Sequence, residues 1–412
     1  MLSSQLFIIL PLFLLCNLLL LDLAKSQTFP DCHPHDKKIL LRIKNHLGNP
    51  SSLSTWTKSE KYCCALYHGV VYDLQGRVSS LNFYDIHDYH GTIPTFLDRL
   101  PGLVDLSFMN IPNLSGPIPP YIGNLTNLIS FSMVSTNLGG PIPDIISRFN
   151  NLLILTMSDN NHVGPIPRFL SQMSNLTRLD LSSNKLTGQI PAFLGRLKRL
   201  DYLRLSSNKL TGPIPLPLVQ LTNLNSLNLS SNKLSGPIPD FIGIHLINLR
   251  TLELDSNHFS GHIPKSLGQL PNLQSLSLSK NKLNWPIPKS LGLANILVIK
   301  LAYNNLSGDA SFLFNKNNMA TFELIINNNK LKFDFSNAGL GRLVSFNISH
   351  NMIYGSLPEW FGQLYLDSTR IVDVSYNQLC GPIPNGRRFK RFGPSMFAHN
   401  KCLCGGPLPA CK

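Results

Sequence analysis

The stretch Leu176 to Arg199, LTRLDLSSNKLTGQIPAFLGRLKR, is a unit that most of the chain repeats. Variants of it read YLRLSSNKLTGPIP, SLNLSSNKLSGPIP, TLELDSNHFSGHIP and SLSLSKNKLNWPIP. One asparagine of the unit recurs at intervals of 22 to 26 residues, at Asn160, Asn184, Asn208, Asn232, Asn257, Asn281, Asn304, Asn329, Asn351 and Asn377. A period held this closely indicates a repeat protein whose units stack on one another.

The apolar pattern within the unit predicts a short strand. Leu179 and Leu181 point to one side and Asp180 between them points to the other, which is the period of a β-strand. Asn184 is expected to turn inward, where its amide satisfies backbone groups that would otherwise be buried unpaired. Apolar residues after Ile190 cover the opposite side of the core. The unit therefore predicts an α/β leucine-rich repeat solenoid with a concave parallel β-sheet.

The number of units sets the size of the solenoid. Thirteen L-x-L strands can be counted between Leu81 and Val372, which predicts about 13 repeats of about 24 residues. Because no unit buries its apolar edge alone, both ends need caps. We predict a signal peptide at 1–26, an N-terminal cap at 27–76, leucine-rich repeats at 77–384 and a C-terminal cysteine cap at 385–412.

The beginning of the chain predicts secretion. The apolar run from Leu6 to Leu21 precedes Ala24-Lys25-Ser26, which places small residues at the positions that a signal peptidase needs. This pattern indicates a secretory signal peptide, with an uncleaved signal anchor as the alternative. No later stretch approaches the roughly 20 apolar residues of a membrane span. We therefore expect an extracellular protein of the cell wall or apoplast, with no membrane partner.

The net charge of +14 is kept by the mature chain, because residues 1–26 hold one lysine and one aspartate. A basic secreted surface suits polyanions such as cell-wall pectin, and the run from Arg387 to Arg391 is one candidate for that contact. Lysines that only keep the surface soluble are an equally good interpretation. No nucleic-acid module is recognisable, so we expect no nucleic-acid partner. We expect a monomer.

Both ends of the chain carry features of caps. Asp36 is expected to N-cap a helix that runs to Gly48, whose apolar face would cover the first repeat. Cys32 can be bridged across this cap, which also contains Cys63-Cys64. Two more bridges can form among the C-terminal cysteines, Cys380, Cys402, Cys404 and Cys411. In an oxidising compartment such cysteines predict disulfides rather than metal ligands.

Several segments resemble the plant polygalacturonase-inhibiting proteins. The similarity lies in DKKILLRIKNHLGNPSSLSTW followed by Cys63-Cys64, in NNLSGDAS with NKLKFDFS, and in the ending CLCGGPLPACK. The resemblance implies a non-enzymatic protein without cofactors that holds a secreted fungal or insect endo-polygalacturonase on its concave face. It also implies the disulfides Cys32–Cys63, Cys380–Cys402 and Cys404–Cys411. This set leaves Cys64 without a disulfide partner within the chain.

Three features depart from that family. The chain has thirteen predicted strands where the family typically has ten, which puts a binding geometry tuned to ten repeats in doubt. The family's further cysteines after the adjacent pair are missing from the segment ALYHGVVYD. The repeat asparagine is replaced by Ile86 and by Thr136 in two early repeats.

Sequence motifs for catalysis are absent. The chain contains no G-x-S-x-G, no H-E-x-x-H and no P-loop. The pairs His33/His35 and His87/His90 are candidates for a metal site, but histidines that are merely solvated in loops are the better interpretation. Acidic residues such as Asp180 stand at solenoid spacing on an open face, without the pocket that a glycosidase pair needs. We expect no enzyme, no cofactor and no metal.

The outward positions of the strands form the candidate binding surface. These positions hold mostly small serines, with charged residues and tyrosines between them. Such a surface suits protein binding, because aromatic and arginine side chains contribute most of the energy of an interface. The candidate partner-binding residues are Asp159, Arg178, Asp180, Tyr202, Arg204, Glu253, Asp255, Lys280 and Lys300. A merely solvated strand face is the alternative for any one of them.

The predicted function is a secreted plant defence protein that inhibits endo-polygalacturonases and so limits pectin degradation. One alternative is a soluble recognition module for a peptide or a receptor kinase ectodomain. Another is an ice-binding antifreeze protein on the same scaffold, although charges interrupt the regular polar ladder that ice binding needs on the concave side. A structural wall protein is a further alternative.

Six N-x-S/T sequons are available in the secretory route, at Asn113, Asn124, Asn175, Asn228, Asn305 and Asn347. Asn228 and Asn347 lie between strand leucines, where a glycan would obstruct a protein partner. Chance is the alternative explanation, because N-L-S and N-L-T arise readily from the consensus of the repeat.

Overall fold

The computed structural model describes residues 31–59, 67–314, 320–339, 343–363, 371–384 and 392–411. The predicted signal peptide, Cys63, Cys64 and the basic run at 387–391 lie outside these residues. The boundaries of the four predicted segments stay predictions.

Short strands make up most of the regular structure. The described strands are β1 (Val70–Tyr72), β2 (Val78–Tyr84), β3 (Asp105–Gly116), β4 (Ser130–Gly140), β5 (Ile154–Thr156), β6 (Asn161–Pro165), β7 (Arg178–Asp180), β8 (Lys185–Thr187), β9 (Tyr202–Arg204), β10 (Thr211–Gly212), β11 (Ser226–Asn228), β12 (Lys233–Pro237), β13 (Thr251–Glu253), β14 (His258–Gly261), β15 (Ser275–Ser277), β16 (Lys282–Leu283), β17 (Val298–Lys300), β18 (Ser307–Gly308), β19 (Glu323–Ile325), β20 (Lys330–Leu331), β21 (Ser345–Asn347), β22 (Tyr354–Gly355), β23 (Ile371–Asp373), β24 (Gln378–Pro382) and β25 (Cys402–Cys404).

The concave sheet follows the order β1-β2-β3-β4-β5-β7-β9-β11-β13-β15-β17-β19-β21-β23. β1 is antiparallel to β2, and among the described residues the thirteen strands from β2 onward are parallel to their neighbours. From β5 onward the register is constant, so Leu179 lies beside Leu203, and Leu203 beside Leu227. The predicted solenoid with its concave parallel sheet is confirmed.

The other sides of the solenoid are closed by short elements. Strands β6 and β8, β10-β12-β14-β16, β18-β20 and β22-β24-β25 form parallel ladders beside the concave sheet. The helices are α1 (Pro34–His46) and α2 (Phe241–His245). The 3₁₀ helices are Ser51–Leu53, Leu97–Arg99, Pro120–Asn124, Asp144–Arg148, Arg168–Gln172, Ala192–Arg196, Leu216–Gln220, Lys265–Gln269, Lys289–Gly292, Ser311–Leu313, Glu359–Gln363 and Pro394–Met396. Between these layers one apolar core runs from Cys32 to Leu403.

The repeat asparagines are turned inward, as the sequence predicts. Asn184 donates its amide to the carbonyls of Met157 in the previous repeat (2.7 Å) and of Ser182 in its own (3.0 Å). Its side-chain carbonyl accepts the backbone N–H of His162 at 3.0 Å. The same arrangement recurs along the solenoid and continues at Asn400 in the C-terminal part. Each asparagine therefore ties its repeat to the one before.

The early repeats that lack the asparagine fold differently. Ile86 and Thr136 take its place in two of them, and both side chains are buried. Thr136 donates its hydroxyl to the side-chain carbonyl of Asn160, which begins the regular ladder. Thr136 lies within β4, which is 11 residues long, and the preceding strand β3 has 12 residues, whereas the strands of the regular repeats span two to five.

Helix α1 covers the first end of the core but begins differently from the prediction. Its N-cap is His33, without a side-chain cap, and Pro34 at the first helical position has no N–H that needs one. The predicted N-cap role of Asp36 is therefore wrong. The fully buried Asp36 carboxylate instead accepts from Arg77 Nε (3.0 Å) and Nη2 (2.8 Å) and from the backbone N–H of Val78 (3.0 Å). This contact joins α1 to β2.

Two predicted disulfides are confirmed at the C-terminal end. Cys380 is bonded to Cys402 and Cys404 to Cys411. The first of these links the neighbouring strands β24 and β25. Cys32 is also disulfide-bonded, but its predicted partner Cys63 lies outside the described residues, so that pairing stays a prediction.

His162 is a titratable side chain inside the apolar core. It is fully buried at a position that Leu186 and Leu210 occupy in later repeats, and its Nε2 has no hydrogen-bond partner in the described structure. Burial lowers the pKa of His162, although Nδ1 lies 3.2 Å from the Gly140 carbonyl and opposes that shift. The unfolded chain therefore binds a proton at this residue more readily than the folded chain does.

We expect His162→Leu to weaken the acid sensitivity of folding. As the pH falls below about 6.5, the wild type should lose up to about 1.4 kcal/mol per pH unit more than the variant, until the folded pKa is reached. Chemical denaturation at pH 7.5, 6.5, 5.5 and 5.0 measures the difference. Parallel pH profiles for the two proteins would show that His162 is not the group responsible.

Candidate binding surface on the concave sheet

Outward side chains lie in straight rows across the concave sheet because the strands are in register. One row holds Arg178, Tyr202, Ser226, Thr251, Ser275 and Val298. The adjacent row holds Asp180, Arg204, Asn228, Glu253, Ser277 and Lys300. Six of the nine candidate residues are therefore brought into two rows, with neighbouring strands about 4.8 Å apart.

Two guanidinium groups lie over the Tyr202 ring. Arg178 Cζ is 4.3 Å from the centre of the Tyr202 ring and Arg204 Cζ is 5.3 Å from it. Burial raises the pKa of Tyr202, so the phenol is neutral at physiological pH. Arginine stacked on an aromatic face keeps its N–H edge available for a partner. We call Arg178, Tyr202 and Arg204 the tyrosine–arginine cluster.

Asp180 belongs to this region, but the prediction that it is a direct contact needs correction. It is 7% exposed and accepts the N–H (3.0 Å) and the hydroxyl (2.6 Å) of Ser182. Burial raises the pKa of its carboxyl, and the bonds from Ser182 and the charge of Arg204 oppose this rise. Arg204 Nη1 lies 3.9 Å from Asp180 Oδ2. Asp180 therefore has almost no exposed surface to offer a partner, and its charge lies beside the Arg204 guanidinium.

Acidic and basic side chains alternate further along the same row. Asn228 donates its amide to Glu253 Oε2, and Lys300 Nζ lies 3.2 Å from Glu323 Oε1 on the next strand. Burial raises the pKa of the Glu253 carboxyl, and the positive charge of Arg204 opposes this rise. Glu253 and Lys300 are partly exposed, so both can meet a partner.

The remaining candidates lie just beyond the strands. Asp159 and Lys280 each precede a repeat asparagine, have a left-handed backbone with φ of 54°, and are exposed. Asp255 is half-buried and accepts the hydroxyl of Ser256 at 3.3 Å. These three residues border the two rows and do not join the tyrosine–arginine cluster.

This bordering column also holds an aromatic stack that the sequence patterns did not predict. His350, Tyr376 and His399 each precede an inward asparagine, and all three are exposed. Their ring centres are 4.1 Å and 4.2 Å apart in nearly parallel planes. The sequence feature that predicts this stack is a ring-bearing residue directly before the asparagine in three successive repeats, which read H-N, Y-N and H-N.

The sequons differ in accessibility. Asn124 and Asn305 are exposed, whereas Asn113, Asn175 and Asn347 are intermediate. Asn228 is 8% exposed, and its side-chain carbonyl also accepts the N–H of Ser230 at 3.0 Å. Asn228 is the least accessible of the six, and glycosylation at all of them stays a prediction.

The described part of the chain brings together no group of three or more metal-ligating side chains. The predicted histidine pairs therefore do not assemble with other ligands there. Within the same residues, no helix has the length and apolar character that crossing a membrane requires.

Comparison with protein families identifies the repeats. The description "Leucine rich repeat" matches residues 174–234, and also 248–270, 272–293 and 342–364. The description "Leucine rich repeat N-terminal domain" matches residues 33–71.

Curated relatives agree with the resemblance seen in the sequence. "Polygalacturonase inhibitor 2" of Arabidopsis thaliana is 44% identical over 115 residues, which cover 28% of this chain and 34% of the relative. "Polygalacturonase inhibitor 1" of Phaseolus vulgaris is 38% identical over 119 residues, with the same coverage. The chain thus spans about a third of the length of the curated relatives that it matches.

A solved structure extends the similarity over most of the fold. The Arabidopsis receptor kinase HAESA ectodomain, in complex with an IDA peptide hormone ligand, has a TM-score of 0.70 and 28% identity, covering 85% of this chain and 66% of that one. The chain is a leucine-rich repeat protein that resembles the plant polygalacturonase inhibitors.

Proposed function

We propose that this protein is secreted and binds an endo-polygalacturonase on its concave face, and thereby inhibits the enzyme. The tyrosine–arginine cluster carries the proposal, because it places two guanidinium groups and an aromatic ring together near the middle of the sheet. Tyrosine and arginine are the side chains that most often dominate a protein interface. The curated relatives named polygalacturonase inhibitors support the choice of partner.

The charge pattern supports binding to an enzyme surface that carries acidic groups. Arg204 lies over the Tyr202 ring and 3.9 Å from Asp180, so its guanidinium is partly ordered before a partner carboxylate arrives. Glu253 and Lys300 lie in the same row and provide charges of both signs. Such charges can fix the orientation of a bound protein on the sheet.

We expect Arg178→Glu or Arg204→Glu to raise the concentration needed for half-inhibition at least about tenfold, because each reverses a charge in a central anchor. Reducing-sugar release from polygalacturonate by a panel of fungal and insect endo-polygalacturonases measures this. Arg196→Glu is the matched control, since Arg196 is an exposed arginine on the convex 3₁₀ helix Ala192–Arg196.

The assay separates the proposal from its competitors. Inhibition that saturates near one protein per enzyme and weakens only in the concave variants supports it. No inhibition across the panel would contradict it, and equal loss in all three variants would contradict the concave location.

Recognition of a peptide is the second candidate function. The supporting observation is the similarity to the HAESA ectodomain, whose solved structure holds a peptide hormone ligand. If this function applies, the protein should bind a plant peptide without inhibiting any enzyme of the panel.

A further inference from the structure

An exposed tryptophan lies on the solenoid beside the concave sheet. Trp285 follows β16 in the parallel ladder β10-β12-β14-β16, and it is 60% exposed. The repeats on either side hold glycine at its position, Gly261 and Gly308, and glycine has no side chain to cover the indole ring. A single exposed apolar residue needs no explanation by itself. The neighbouring segment of the next repeat, however, supplies one.

Residues 305–307 of that repeat form a glycosylation sequon next to Trp285. The backbone N–H of Asn305 donates to the Leu283 carbonyl at 2.7 Å, and Pro286 forms a parallel bridge with Ser307. The two segments therefore run side by side, and Asn305 is one position away from the residue across from Trp285. A strand spacing of about 4.8 Å and a rise of about 3.3 Å place the two Cα atoms about 6 Å apart.

Asn305 differs from the other sequon asparagines in that its side chain is free. It is exposed, and its amide makes no hydrogen bond within the described residues. The other five are all engaged: Asn113 with the His87 carbonyl, Asn124 with Asp98, Asn175 with the Asn150 carbonyl, Asn228 with Ser230 and Asn347 with Ser349. A glycan on Asn305 therefore breaks no hydrogen bond in that part of the folded chain.

Both residues depart from the consensus of the repeat at the same place. Several repeats have lysine at the position of Asn305, as at Lys209, Lys233 and Lys282, and most have glycine at the position of Trp285. A change from lysine to asparagine creates a sequon by itself, because a serine or threonine already follows two residues later. Chance therefore explains the sequon alone, but it does not explain a tryptophan beside it.

We propose that Trp285 is the platform on which the first sugars of an N-linked glycan on Asn305 pack. The C–H face of a sugar ring covers the aromatic ring and removes its apolar surface from water. The packed glycan bridges two repeats and shields the tryptophan from other proteins. The proposal rests on secretion, which is part of the proposed function, because N-linked glycans belong to secreted proteins.

The modification is a group transfer from a lipid-linked oligosaccharide diphosphate of the secretory route. Asn305 Nδ2 forms a bond to the anomeric carbon of the first sugar, and the bond between that carbon and the lipid diphosphate breaks. The lipid diphosphate leaves with the bonding electrons, and the amide releases one proton. No oxidant or reductant is needed.

Fluorescence quenching of the full-length protein, secreted from cultured plant cells, tests the packing. Peptide mass spectrometry first establishes that Asn305 carries a glycan. Trp285 dominates quenching by acrylamide, because of the three tryptophans Trp56 is buried and Trp360 is partly buried. Removing the glycan by Asn305→Gln should raise the quenching constant about twofold, since a sugar covers one of the two faces of the indole ring.

Two further variants separate the glycan from the asparagine that carries it. Ser307→Ala removes the sequon but keeps Asn305, and it should raise quenching as much as Asn305→Gln does. The matched control is Asn124→Gln, which removes the other exposed sequon and should leave quenching unchanged.

Thermal unfolding gives a second readout. Loss of the glycan should lower the midpoint by about 1–2 °C when Trp285 is present. It should cause no further shift in Trp285→Gly, a variant that carries the residue of the neighbouring repeats. Leu293→Ala is the control background, because Leu293 is also an exposed apolar residue (83%) but lies at the end of a 3₁₀ helix. The shift should persist there.

Two results would overturn the proposal. One is a secreted protein whose Asn305 is unmodified, and the other is a glycan whose removal changes neither quenching nor the Trp285-dependent part of the unfolding midpoint. Polygalacturonase inhibition is measured on the same preparations. An active inhibitor with unmodified Asn305 would contradict this inference alone, whereas a glycan packed on Trp285 in a protein that does not inhibit would contradict the proposed inhibition alone.

Discussion

Replacing Asn208 by alanine is expected to lower the free energy of unfolding by about 3–4 kcal/mol. Asn208 is buried; its side-chain carbonyl accepts the backbone N–H of Leu186 at 3.0 Å, and its amide donates to the carbonyl of Leu181 at 2.9 Å. Alanine leaves the Leu186 N–H without its acceptor inside the core and opens a cavity where the amide was. An unsatisfied buried group costs about 1–3 kcal/mol, and the cavity adds to it.

The control for this prediction is another asparagine at the end of the same repeat. Asn223 is exposed and makes a hydrogen bond to the Lys198 carbonyl at 2.9 Å, so Asn223→Ala should change stability by less than about 1 kcal/mol. Urea denaturation followed by circular dichroism compares the two variants with the wild type. Equal small shifts would mean that the inward asparagines do not hold the repeats together.

Replacing Asp36 by alanine is expected to destabilise the N-terminal cap by about 3 kcal/mol. The change removes a fully buried carboxylate that binds Arg77 through two nitrogen atoms and also accepts the Val78 N–H. Breaking a buried pair from one side leaves the other charge and a backbone donor without a partner, which costs about 3–5 kcal/mol. Arg77 is 26% exposed, so water offsets part of this loss.

The effect should be local to the cap. Hydrogen exchange should rise first in α1 and β2, because Asp36 connects these two elements. Asp144→Ala, at an exposed aspartate of a convex 3₁₀ helix, is the control and should leave both exchange and stability nearly unchanged. If Asp36→Ala behaved like this control, Asp36 would contribute little to the attachment of the cap.

The fold could be predicted from the sequence because its information is local and repeated. The spacing of leucines, asparagine and proline within about 24 residues is enough to define a strand, an inward amide and a bend, and stacking then follows. The rows of the candidate surface follow in turn, since a constant repeat length keeps equivalent positions in register. Arg178, Tyr202 and Arg204 could therefore be named before their contacts were known.

The tertiary structure decided what depends on residues in different repeats or in different parts of the chain. Asp36 has the sequence signature of a cap, but Arg77, which is 41 residues away, makes it a buried ion-pair partner. Asp180 occupies an outward position, yet Arg204 on the next strand and Ser182 leave it almost no exposed surface. The sequence by itself determined the repeat, the number of parallel concave strands and the residues of each row. Only the packing of one repeat against the next decided which of those side chains are free to meet a partner, because burial and ion pairing depend on neighbours that a local pattern does not specify.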